Sequence, residues 1–123
     1  MSKLMLSIKP KFVKAIFDET KKFEFRTREP QKKVDEIIIY ETAPMSMVVG
    51  SFKVKAIHVG NPQEISKLTR GYTGLTGKEY WEYYRSKDKA VAYEIGELVR
   101  FEKPKQLSDY GVKSAPQSHV YVE

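Results

Sequence analysis

Leu4, Leu6 and Ile8 alternate with Lys3, Met5 and Ser7, the two-residue period of a strand with one buried face. Pro10 then suits the first turn of a helix, where its missing N–H costs little. Val13, Ile16 and Phe17 share one helical stripe, with Lys11 and Lys14 outside it. Alternation returns from Lys22 to Thr27, with Phe23 and Phe25 on one face and Lys22, Glu24 and Arg26 on the other. A polar connection broken by Pro30 leads to Ile37-Ile38-Ile39-Tyr40-Glu41-Thr42, a β-branched run fit for cover on both faces. After a turn at Ala43-Pro44-Met45-Ser46, a long strand is expected from Met47 to Val59, with Gly50 marking a bulge or a close backbone approach.

Two capping boxes follow, Asn61-Pro62-Gln63-Glu64 and Thr76-Gly77-Lys78-Glu79, each opening a helix. Gly71, Gly74 and Gly77 keep the two apart. The second helix carries Tyr80, Trp81, Tyr83 and Tyr84, a cluster expected to cap the core with one tyrosine edge free. A strand from Ala90 to Ile95 is expected to continue past Gly96 to Phe101 and to end at Pro104. Leu107 to Tyr110 reads as a helical turn closed by Gly111, and Pro116 to Val122 as a last strand. The order β-α-β-β-β-α-α-β-β has many strands and few connecting helices. It predicts an α+β, β-rich fold: a small barrel of about six strands with helices packed at its ends, not a doubly wound sheet. No repeat, linker or long block of one charge divides the chain, so residues 1–123 are expected to form one domain.

Composition narrows the function classes. With 41% apolar residues, 123 residues suffice for one core, and 31% charged residues exclude a low-complexity chain. No apolar run approaches the roughly 18 residues of a membrane span, and the start Met1-Ser2-Lys3-Leu4 lacks a leader's apolar region. Cysteine is absent, which excludes disulfides and thiolate sites and fits a cytoplasmic location. The 22 Lys and Arg against 16 Asp and Glu give a net charge of +6 and a pI near 9.4. Such a surface attracts polyanions, and 15 aromatic side chains offer faces for base stacking. His58 and His119 fall on separate strands with no metal-ligand spacing, and no phosphate-loop or dinucleotide glycine pattern occurs. Neither a metal nor a cofactor is expected.

The stretch Lys21-Lys22-Phe23-Glu24-Phe25-Arg26 is the densest chemical feature. A glutamate and an arginine two positions apart on a strand orient each other and together offer acceptors and donors to a ligand. Lys21 has the opposite strand parity, so it reaches the same side only through a bulge or from the strand's irregular start. The alternatives are a solvated lysine and a structural Glu24–Arg26 ion pair.

With Glu19 preceding it, this stretch resembles the signature of the ASCH family (activating signal cointegrator homology), within the PUA-like superfamily: a glycine followed by K-x-x-E-x-R after the first helix. Glu19 stands at the usual glycine, where a left-handed backbone would be strained. Leu6-Ser7-Ile8-Lys9-Pro10, Tyr40-Glu41-Thr42-Ala43-Pro44, Val48-Val49-Gly50-Ser51-Phe52 and Ala115-Pro116-Gln117-Ser118 also resemble a prokaryotic and phage subgroup described as predicted transcriptional regulators. The resemblance implies a PUA-like β-barrel with a cleft over the Lys-Glu-Arg strand and a role in binding RNA or a nucleotide. Some small ASCH proteins are amidohydrolases on N4-acetylcytidine, using a Lys, a Thr and a Glu; here Glu24 stands where they have the Thr.

The residues expected to bind a ligand or RNA are accordingly Ser7, Lys9, Lys21, Glu24, Arg26, Tyr40, Thr42, Gln117 and Ser118. Ser7 and Lys9 precede a helix N-terminus, an anion site, although Ser7 also fits a helix cap. Tyr40 and Thr42 end a strand at an expected cleft rim, and Gln117 and Ser118 are able to read a base edge. The reading is a non-catalytic binder of RNA, or of a nucleotide or modified base, with no membrane partner and its oligomeric state open. The alternatives are an enzyme, either a nucleoside amidohydrolase or a ribonuclease using Lys21 and Glu24, and a protein-interaction module built on the helix around Trp81.

Overall fold

The computed structural model describes residues 2–123. Strand β1 (Ser2–Ile8) leads into helix α1 (Pro10–Phe17) and then β2 (Phe23–Arg26), β3 (Val34–Glu41) and β4 (Met47–Gly60). Helices α2 (Pro62–Leu68) and α3 (Gly77–Tyr83) precede the long β5 (Ala90–Lys105), a 3-10 turn (Leu107–Tyr110) and β6 (His119–Val122). Both expected capping boxes form, with Asn61 and Thr76 each accepting from the backbone of the glutamate three residues on. The 3-10 turn closes on Gly111 at φ +71°. Two ends differ from the sequence reading. β5 runs through Pro104 to Lys105, and Pro116 to Ser118 lie outside β6.

The six strands form one mixed sheet in the order β2-β5-β4-β3-β1-β6, with only the β1–β3 pair parallel. A closed barrel was the expectation, and the sheet is not closed: β2 and β6 remain edges. It curls enough, however, for the β2 edge to come beside β1 and the segment before β6. There the Arg26 side chain donates to the Ser7 carbonyl at 3.0 Å and to the Ser118 hydroxyl at 3.4 Å. The seam is thus spanned by a side chain and not by a backbone ladder.

Curling explains three apolar clusters. Leu4, Leu6, Ile8, Ile37, Ile39, Phe52, Val91 and Tyr93 fill the inner side together with Val13 and Ile16 of α1. Phe23, Phe25, Ala90 and Ala92 face outward under α2 and α3, packed on Ile65, Tyr80 and Tyr84. Met5, Ile38, Tyr40, Val48 and Val122 form an outer patch covered by Phe101, Leu107, Tyr110 and Val112. β1 is therefore buried on both faces, and Met5, expected on the polar face, is fully buried. Gly50 sits at a bulge between β3 and β4, where a Cβ would lie 2.4 Å from the Val99 carbonyl oxygen and 2.7 Å from the Phe17 ring.

Candidate functional site

β2 pairs with β5 so that Glu24 stands opposite Tyr93 and Arg26 opposite Val91, both inner-face residues. The polar face of β2 therefore points into the seam and not into open solvent. Glu24 is only 6% exposed, with one carboxylate oxygen 2.8 Å from Arg26 Nη2 and the other 3.7 Å from Lys21 Nζ. Lys21, 2% exposed, precedes the regular strand, so strand parity does not bind it. Its ammonium donates to the Thr73 carbonyl at 2.8 Å and lies over the Phe25 ring at 4.7 Å and the Phe12 ring at 5.4 Å. Burial pushes the Lys21 ammonium below the usual lysine range; the Glu24 carboxylate opposes that shift and the Arg26 guanidinium adds to it.

These residues floor an open cleft of about 550 Å³. Its walls are Ser7, Ile8, Lys9 and Phe12 from β1 and α1, and Leu75, Glu79, Glu82 and Tyr83 from the α3 side. The Lys11 ammonium donates to Glu79 at 2.6 Å, linking α1 to α3. That bond, with the Thr76 backbone N–H, holds the Glu79 carboxyl down at about 2. Tyr83 is exposed at the rim, its hydroxyl donating to the Phe25 carbonyl. Tyr84 fixes the strand from behind by donating to the Arg26 carbonyl at 2.9 Å. Among the described residues no group of three or more His, Asp or Glu side chains could hold a metal ion.

Five of the expected residues, Ser7, Lys9, Lys21, Glu24 and Arg26, converge on this cleft. Ser7 is not the cap of α1: Lys9 is the N-cap without a side-chain bond, and the Ser7 hydroxyl donates to the Pro116 carbonyl at 2.6 Å. Ser118 reaches the site through Arg26 but lines a neighbouring cavity. Tyr40 does not stand at the rim. It is buried in the outer patch, because the segment after β5 covers that face of β3. Thr42 does not line the cleft; its backbone N–H donates to the Ile8 carbonyl, fastening β3 to the end of β1. Gln117 lies along a separate surface hollow. Residues that sequence reasoning passed over include Thr73 and Gly74 of the α2–α3 loop. A Cβ on Gly74 would fall 2.6–2.8 Å from the Lys21 stem, and Gly74 has φ +71°. The only local signal was a glycine in a polar loop.

A family model for the ASCH domain matches residues 6–104. The chain belongs to the ASCH domain family. It is 32% identical over 124 residues to the large ribosomal subunit protein uL22 of Ureaplasma parvum serovar 3, covering 98% of this chain and 39% of that protein. It is 31% identical over 90 residues to the ASCH domain-containing ribonuclease of Zymomonas mobilis, covering 72% of this chain and 61% of the enzyme. The chain thus spans about two fifths of the length of the ribosomal relative. Crystal structures of the ASCH protein of Zymomonas mobilis superpose closely. A Tyr-to-Phe variant gives a TM-score of 0.88 at 25% identity, covering all of this chain and 91% of the other. Another structure of that ASCH protein gives 0.87 at 26% identity, over 98% and 87%.

Within the ASCH signature, Glu19 does adopt the left-handed backbone that the usual glycine supplies, at φ +63°. The turn is preserved against its steric cost: Glu19 N–H donates to the Ile16 carbonyl, and the N–H groups of Thr20 and Lys21 both donate to that of Ala15. The departure from the signature leaves Lys21 delivered to the seam.

Proposed function

We propose that this ASCH domain binds single-stranded RNA in the seam cleft and cleaves it without a metal ion. The observation that carries the reading is the buried Lys21–Glu24–Arg26 cluster at the floor of an open cleft: two cations held by one carboxylate. While Lys21 is protonated the cluster has a net positive charge in a poorly solvated place, suited to a phosphodiester, and the fraction with Lys21 neutral holds the base while Arg26 keeps its charge. The ribonuclease name of the Zymomonas relative and the net charge of +6 support RNA as the polyanion.

In the proposed reaction the ribose 2′-oxygen attacks the adjacent phosphorus and the P–O5′ bond breaks. The products are a 2′,3′-cyclic phosphate and a 5′-hydroxyl. Lys21, pushed toward its neutral amine by burial, takes the 2′-hydroxyl proton, and water in the open cleft protonates the leaving 5′-oxygen. Arg26 stabilises charge on the pentavalent phosphorus, and Glu24 keeps the guanidinium in place. Tyr83 at the rim offers a stacking face to a base.

The test is incubation of labelled single-stranded RNA with the protein in excess chelator. Cleavage to cyclic-phosphate ends is expected, and a single 2′-deoxy substitution should block cleavage at that residue. Lys21→Met, which keeps the Glu24–Arg26 pair, should lower the rate at saturating RNA by about 100-fold or more. The rate should rise with pH and level off below the ordinary lysine value, because the neutral amine acts. Binding that weakens steeply with salt, without cleavage, would leave only the binding half of the proposal standing. No binding at low salt would end both.

A further inference from the structure

Arg26 is a wall shared by two cavities. The first is the cleft described above. The second, of about 190 Å³, is lined by Leu4, Leu6, Tyr93 and Pro30 below and by Arg28, Ser118 and His119 at its polar margin. The guanidinium divides its donors between them. Nη2 serves Glu24 and the Ser7 carbonyl on the cleft side, and Nη1 serves Ser118 on the other. Its Nε–H is buried with no hydrogen-bond partner among the described residues. A buried donor without an acceptor is uncommon in folded proteins and marks the guanidinium as incompletely satisfied by the protein alone. The cavity's wall is also braced. The Tyr121 hydroxyl accepts from the backbone of Gln31 at 2.7 Å, and Lys89 pairs with Glu29 at 2.9 Å, so the segment after β2 is held against β6 and the chain before β5.

Resting on the RNA reading above, we propose that this second cavity is the subsite for the neighbouring nucleotide, with the linking phosphate lying against Arg26. The chemistry fits one nucleoside-sized group. Apolar Leu4, Leu6 and Pro30 offer a floor for a base or sugar, and the Arg28 guanidinium and His119 ring supply charge and a stacking face at an exposed margin. The phosphate between two nucleotides then meets the Arg26 guanidinium through Nη1 and Nη2, the donors that face the two cavities. The minimal ligand of this domain is therefore a dinucleotide, and Arg28 and His119 are binding residues that the signature motif does not include.

The experiment compares a 2′-O-methyl dinucleotide, which cannot be cleaved by 2′-oxygen attack, with the matching 3′-mononucleotide, by calorimetry at low salt. The wild type should bind the dinucleotide at least 10-fold more tightly. The Arg28→Ala/His119→Ala variant should bind the mononucleotide like wild type and lose the dinucleotide advantage. The His119 ring signals in NMR should shift with the dinucleotide and stay in place with the mononucleotide. Equal affinity for both ligands in the wild type, or a variant that weakens both equally, would overturn the second subsite while leaving the cleft as an RNA site. If neither ligand binds, both readings fall.

Discussion

Glu24→Gln keeps the shape of the side chain and removes the one negative charge between Lys21 and Arg26. In the native cluster the carboxylate lies 2.8 Å from Arg26 and 3.7 Å from Lys21. At the effective dielectric of partly buried sites, each such attraction is worth roughly 4–6 kcal/mol before desolvation is subtracted. Breaking a buried pair by removing one partner costs about 3–5 kcal/mol. Arg26 retains some solvent and two other acceptors, so about 3 kcal/mol is expected at pH 6, or about 10–15 °C in melting temperature for a chain of this size. The loss should depend on pH. Lys21 is already below its unfolded value, with burial as the main cause and Glu24 as the main opposing influence. Without Glu24 its folded value falls further. Between the folded value and 10.5 the unfolded chain binds more protons, so stability rises with pH there, and the variant enters that window earlier than wild type. The deficit should therefore shrink with rising pH between the variant's folded Lys21 value and the wild type's, and stay level outside that interval. Urea melts of both proteins at pH 6, 7.5 and 9 measure it. A deficit under about 1 kcal/mol at pH 6 would refute charge pairing as the basis of the cluster.

Glu19→Gly should stabilise the fold by about 0.5–1 kcal/mol in urea melts. It relieves a left-handed non-glycine residue worth about 1–2 kcal/mol, less the added chain entropy of glycine. Gly74→Ala should destabilise by about 2–4 kcal/mol, combining a positive φ with a Cβ pressed into the Lys21 stem. It should also slow RNA cleavage at temperatures where the variant is fully folded. Glu79 should titrate by NMR with a midpoint of about 2, moving up toward 4.5 in Lys11→Met. Because its folded value is depressed, any stability it contributes is present above about 4.5 and lost as the pH falls toward 2.

Most of the fold was legible because the chain's local signals agree with its tertiary structure. Alternation marked β1, β2 and β4, a β-branched run marked β3, and proline and the capping boxes marked the three helix starts. The misreadings arose where cover comes from far away in sequence. Met5 and Tyr40 looked like polar-face and rim residues, yet the outer patch is covered by Leu107, Tyr110 and Val112, which no local pattern announces. Closure was likewise not readable. Whether a curled six-stranded sheet zips its edges or leaves them apart depends on β2 and β6, each four residues long and separated by most of the chain.

That open edge is also what makes the site. Periodicity correctly put Glu24 and Arg26 on one face of β2, but it could not say that this face looks inward. In a zipped barrel β2 would present its free backbone groups to β6, and the seam would be filled by a ladder. With the seam open, Arg26 joins the two edges by side-chain bonds to Ser7 and Ser118, residues 19 and 92 positions away. The polar pair is buried enough to shift Lys21 and still borders solvent through the cleft. Lys21 escaped the parity argument because it lies before the strand, and its hold on Thr73 spans 52 positions. The signature is thus a local sequence with a non-local function: three charges within six residues whose chemistry is set by a loop, a helix and a strand from the rest of the chain.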